Sequence, residues 1–183
     1  MSTDAVDHAV DPRYPIGRFQ RPEMPLAHGV LAEAIGTLAE FPSELRGAVA
    51  GFDEEQWDTP YRDGGWTVRQ LVSHLADSHM MAFLRVRLAL TEDGPTVPPY
   101  KEKEFAELRD SVAAPGEWSL QMLESLHARW VMMLQSLMPE QWQRGFTQPE
   151  RGSQTVEVAT LLYSWHARHH LAHIKRLRAA KDW

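Results

Sequence analysis

"TVEVATLLYSWHARHHLAHIKRLRAAK", Thr155 to Lys181, reads as one long helix, and its interior decides the fold. Successive residues on an α-helix turn by about 100°. With His166 at zero, His170 falls at about 40°, His173 at about −20° and His169 at about −60°. Leu162 and Leu177 lie in the same arc, at about −40° and 20°. The histidine stripe therefore coincides with an apolar stripe, which is the face a helix turns toward other helices. The basic residues of "HIKRLRAAK" (His173 to Lys181) read as helix-end cations beside the negative dipole end, so they give no nucleic-acid patch.

Three more helical tracts supply partners. Residues 28–51 place Leu31, Ala34, Ile35, Leu38, Leu45 and Val49 at helical spacing, with Pro42 as an expected kink or break. A second helix starts at Thr67, where "TVRQ" sets Gln70 three residues on as a capping box. The prolines of "DGPTVPPYKEKEF" make a long irregular connection. The third helix follows Pro115-Gly116 and ends before Pro139. No segment reads as a strand. The expected fold class is all-α: a four-helix bundle with a long crossover loop and an irregular N-terminal arm. The arm is taken as residues 1–26 and the single domain as 27–183.

Composition narrows the chemistry. A net charge of −6 and a pI near 5.8 give no basic footprint for nucleic acid or an anionic membrane. The absence of cysteine excludes disulfides, cysteine nucleophiles and thiolate metal ligands. Without a signal-peptide pattern or a membrane-length apolar run, a cytoplasmic protein is expected.

Several inward imidazoles need a reason, because each has a donor and an acceptor nitrogen to satisfy and mutual protonation is unfavourable. A divalent metal bound by neutral imidazole answers both needs. His166 with His170, and His169 with His173, are each spaced i, i+4, and spacing alone does not choose between the pairs. His74 shares an inward arc with Leu71, Ser78 and Met81 and can supply a third nitrogen. His79 lies about 140° around that helix from His74 and is expected elsewhere. His127 lacks an evident partner and reads as core or edge packing; His8 is expected in solvent. Asp77, at i+3 from His74, is the nearest carboxylate, a candidate base or a partner that orients a ligand. Arg85 and Arg168 are candidates to receive a substrate's carboxylates. Trp66, Trp130 and Trp165 read as core or pocket wall.

"YPIGRF" (Tyr14 to Phe19), "TPYRDGGWTVRQLVSHLADSHM" (Thr59 to Met80), "LALTEDGPTVPPY" (Leu88 to Tyr100) and "YSWHARHHLAHI" (Tyr163 to Ile174) occur in the order found in the YfiT branch of the DinB-like superfamily, which the chain resembles over nearly its whole length. The resemblance implies a homodimeric four-helix bundle whose zinc or nickel ligands correspond to His74, His166 and His170. His169 and His173 then become neighbours of the metal or pocket residues, and with Asp77 they are the catalytic candidates. Members are described as metal-dependent hydrolases, and some relatives are thiol S-transferases using bacillithiol or a similar low-molecular-weight thiol. The expected function is thiol transfer to an electrophilic small molecule, because a metal can ionise a thiol without a separate base. Metal-dependent hydrolysis and a non-catalytic metal-binding stress protein are the alternatives. One departure shows: "FTQPERG" carries Gln148 where the family leads one to expect histidine, which bears on substrate choice.

Overall fold

The computed structural model describes residues 11–183, so His8 lies outside the described residues. Its elements are α1 (Val30–Ala48), α2 (Glu54–Trp57), α3 (Val68–Thr91), α4 (Glu102–Ala106), α5 (Arg109–Ala113), α6 (Gly116–Gln135), α7 (Pro139–Trp142), β1 (Gly145–Gln148), β2 (Gly152–Thr155) and α8 (Val156–Lys181). The four long helices form the bundle. α1 packs against α8 and α6, and α3 packs against α6 and α8, so α1 and α3 sit on one diagonal. Among the described residues no helix is long and apolar enough to cross a membrane.

The capping box that starts α3 forms as its sequence requires: Gln70 N donates to Thr67 Oγ1, and Thr67 N donates to Gln70 Oε1. Arg69, buried in the first turn, donates to Asp58 at 2.8 Å, Glu54 at 2.6 Å and the Ala114 carbonyl at 2.9 Å. That clamp joins α2 and the α5–α6 turn to the start of the helix that carries His74. Thr155 caps α8 by accepting from Val158 N.

Two expectations are corrected. Pro42 neither breaks nor ends α1, which continues to Ala48. A proline lacks the N–H that would bond the carbonyl four residues back, here Leu38; a side chain from another helix meets that carbonyl instead. Residues 145–155, expected to lack strands, form an antiparallel hairpin pairing Gly145 with Thr155 and Gln148 with Gly152. Strands of four residues are too short to show alternation. Gly145 is needed there, since a Cβ at that position would stand 2.5 Å from the Gln154 carbonyl oxygen. The proline-rich connection after α3 docks on β1, with Val97 N donating to the Thr147 carbonyl and Thr147 N to that of Pro95.

Two apolar clusters fill the bundle. One contains Phe41, Leu45, Leu71, Leu75, Leu123, Leu171 and Ile174. The other contains Leu38, Ala82, Val86, Trp130, Leu134, Val156 and Tyr163. Along α3, α6 and α8 a histidine stands between members of the two: His79, His127 and His166. Burying a large apolar side chain contributes about 1.5–3 kcal/mol, while an unpaired buried polar group costs about 1–3 kcal/mol. A polar layer inside such a core is tolerable only when its nitrogens are bonded.

Candidate metal centre

His74 from α3 and His166 and His170 from α8 bring one ring nitrogen each to within 4.8 Å of one another. The Nε2 of His166 lies 3.3 Å from that of His74 and 3.1 Å from that of His170. All three rings are desolvated. Burial pushes the His74 pKa down to about 4 and holds His166 and His170 well below the usual 6.5, with the neighbouring imidazoles reinforcing the shift for His166 and His170. At neutral pH the three are therefore neutral lone-pair donors converging on one point. This is the donor set a divalent ion accepts, and the described residues offer no competing carboxylate in the cluster.

The three rings line a cavity of about 710 Å³. Its walls include Tyr61, Trp66 and Tyr100 on connecting segments, Gln148 at the end of β1, and Trp165, His169 and His173 on α8. Tyr14 and Arg13 of the N-terminal arm also line it. The arm is held there by Arg176, which donates to the Pro15 carbonyl at 2.7 Å, and by Phe19 against Trp165. The Tyr100 hydroxyl stands 3.2 Å from His74 Nδ1, and burial raises its pKa further above the ordinary phenol value.

Arg85 is buried on the cavity wall without a carboxylate partner among the described residues. One of its terminal nitrogens donates to the Pro98 carbonyl at 3.1 Å, and its Nε has no partner. Arg168, by contrast, is exposed and does not line the cavity. His169 and His173 do line it, both with pKa lowered to about 4 chiefly by burial, and His169 Nδ1 is buried without a partner. Asp77 does not line the cavity. Burial, helped by Asp110, raises its carboxyl to about 6.

His79 and His127 stand in the core away from the cavity, as expected, but His127, read as lacking a partner, has one at each ring nitrogen. His79 is fully buried, with Nε2 at 3.1 Å from His166 Nδ1 and Nδ1 at 2.8 Å from His127 Nε2. His127 Nδ1 in turn donates to the Leu38 carbonyl at 2.6 Å, the carbonyl that Pro42 cannot serve. Rotation of 140° around α3 moves a side chain from the cavity to the seam with α6 and α8, which is still interior. Tyr100, given no role from the sequence, lies in a loop where periodicity gives no signal.

The model of the DinB superfamily matches residues 37–174. A Bacillus cereus protein named "Putative metal-dependent hydrolase" is 49% identical over 173 residues, covering 94% of this chain and 99% of that protein. A Bacillus anthracis protein of the same name is 48% identical over equal coverage. Among solved structures, one described as "YfiT from Bacillus subtilis is a probable metal-dependent hydrolase with an unusual four-helix bundle topology" superposes with a TM-score of 0.91 at 44% identity, covering 95% of this chain and 99% of that one.

Proposed function

The chain belongs to the DinB superfamily, and on that premise we propose that it is a metal-dependent enzyme transferring a low-molecular-weight thiol of the bacillithiol type to an electrophilic small molecule. The observation that carries the reading is the convergence of three neutral imidazole nitrogens on the wall of a small-molecule-sized cavity. An all-nitrogen donor set suits zinc or nickel and disfavours magnesium or calcium, which prefer oxygen. When bound, such an ion stabilises a thiol as its thiolate at neutral pH.

The chain's own residues do the rest. Binding through Nε2 leaves the His74 proton on Nδ1, donated to the Tyr100 oxygen, so that the Tyr100 O–H is free to donate into the cavity. Arg85, buried and without an ion pair, suits a carboxylate of the thiol. His169 and His173 offer hydrogen bonds to the same ligand, and Trp66 and Trp165 exclude water. Gln148 presents a neutral amide, which selects among electrophiles without supplying a base. In the reaction the sulfur–carbon bond forms as the bond to the leaving group breaks, and the thiol's proton leaves with the displaced group. Thiol transfer is favoured because the acidic residues lining the cavity, Glu102, Glu107 and Glu150, are all exposed, leaving no buried carboxylate to act as a base.

Hydrolysis is the second reading, favoured by the names of the relatives. The assay is the zinc- or nickel-loaded protein with an aryl halide or activated ester, with and without bacillithiol. Conjugation that requires both metal and thiol supports transfer. Ester cleavage without thiol overturns it in favour of hydrolysis; neither activity in fully loaded protein leaves a non-catalytic metal-binding bundle.

The same proposal takes the protein as a cytoplasmic homodimer, since a free thiol substrate calls for a reducing compartment. Trp118, Met122 and Met132, 64%, 37% and 74% exposed, share one arc of α6 and offer an apolar face to a second copy. Light scattering that returned a monomer mass would remove this part.

A further inference from the structure

We infer that His79 and His127 are positioning residues that fix which nitrogen of His166 carries its proton, through a chain of imidazoles anchored on the Leu38 carbonyl. The inference rests on the three-histidine metal reading, but its logic begins at the far end of the chain. A carbonyl only accepts, so the 2.6 Å contact requires the proton of His127 on Nδ1. A neutral imidazole has one N–H, so His127 Nε2 accepts, and the donor 2.8 Å away is His79 Nδ1. The Nε2 of His79 is then the acceptor, and the group 3.1 Å from it, His166 Nδ1, must donate. What remains on His166 is a bare lone pair at Nε2, facing the Nε2 atoms of His74 and His170.

The chain has two self-consistent directions. In the opposite one, His79 Nε2 donates to His166 Nδ1, the proton of His166 moves to Nε2, and that nitrogen can no longer ligate. The carbonyl forbids this direction, because His127 would then turn a lone pair toward the Leu38 oxygen. No net proton is gained or lost; only its place on each ring is chosen. Burial keeps the rings neutral, pushing His127 down to about 4 and His79 well below 6.5.

The anchor is built into α1. Pro42 cannot donate to the Leu38 carbonyl, so that oxygen is free for His127. Phe41 packs on both rings, with centroids 5.4 Å from His79 and from His127, and holds the pair in register. A ligand's second nitrogen commonly donates to a carboxylate, carbonyl or water. Here the carbonyl is reached only after two further imidazoles, and the link crosses from α8 through α3 and α6 to α1.

The test uses the full chain labelled with ¹⁵N-histidine, first free of metal. Long-range ¹H–¹⁵N spectra should show His127, His79 and His166 all protonated at Nδ1; a proton on Nε2 of His79 or His166 overturns the proposal. Zinc affinity by chelator competition is the second readout. His127→Phe, which removes both anchor and acceptor, should weaken zinc binding about 10- to 100-fold, the range seen when such supporting groups are lost. His127→Gln, whose carbonyl oxygen can accept from His79 in place of Nε2, should restore binding to within about threefold. Equal affinity in the Phe and wild-type proteins sinks the inference. Failure of wild-type protein to bind zinc sinks the metal reading, and the metal-free spectra judge the chain separately.

Discussion

Acidifying the metal-free protein should unfold it within a window set by its buried histidines. His74 and His127 are 3% and 1% exposed, and each has its pKa pushed from 6.5 to about 4 by burial. Between those values the unfolded chain binds protons that the folded one refuses, so stability is fully present above pH 6.5 and is lost as pH falls toward 4. The gap corresponds to about 3 kcal/mol for each group, and so to roughly 6–7 kcal/mol at most for the two. Coupling among neighbouring rings makes the titration shared, and about 3–7 kcal/mol is the working range. A typical domain holds only about 5–15 kcal/mol in total. The assay is urea unfolding by far-UV circular dichroism after chelation, at pH 7.5, 6 and 5. With a urea slope of about 2 kcal/mol per molar, the midpoint should fall by at least about 1 M from pH 7.5 to 5. His127→Gln, with one fewer of several titrating rings, should reduce that fall. A midpoint that stays level across the series would refute the claim that these rings are held neutral by burial.

Pro42→Ala restores a helical donor to Leu38; relative to the proline, about 1 kcal/mol of added stability is expected once the more flexible unfolded chain is counted, yet zinc affinity should drop. A variant that gained in both thermal midpoint and affinity would contradict the role given to this residue. Asp77→Asn removes a carboxyl whose folded pKa is raised to about 6, a penalty that appears as pH rises from 3.8 to 6. After allowance for partial exposure, it should stabilise the protein by about 1–2 kcal/mol at pH 7.5 and by nothing below pH 4, as read from denaturant midpoints. Tyr100→Phe removes the hydroxyl beside His74 Nδ1 and should raise the zinc dissociation constant about 10-fold; an unchanged constant would show that the hydroxyl does not support the ligand.

How far the sequence could be read follows from what each signal measures. The cap at Thr67 and the 26-residue helix from Val156 to Lys181 were legible because local hydrogen bonds and a long period specify them. His74, His166 and His170 were legible as inward residues from helical arcs, with the choice of pair resting on family motifs. The bonds that join His79 and His127 to His166 and Leu38 were not. An arc measured from one ligand treats a helix as having one inner side, whereas α3 touches α6 and α8 along separate seams. Pro42 was legible as a lost hydrogen bond, but not as a bond remade, because its replacement comes from 85 residues further along the chain. The hairpin around Pro149 was too brief for any period, and its register depends on the close backbone approach at Gly145.

The imidazole chain touches every long helix once: Leu38 on α1, His127 on α6, His79 on α3 and His166 on α8. A collapsed state that kept these four helices but let one rotate by a single residue, about 100°, would break a link and scatter the nitrogens. Such a molten state retains its secondary structure and loses only specific packing. Tight metal binding would therefore discriminate between the two where circular dichroism does not. In this bundle the ion would serve as a gauge of helix register.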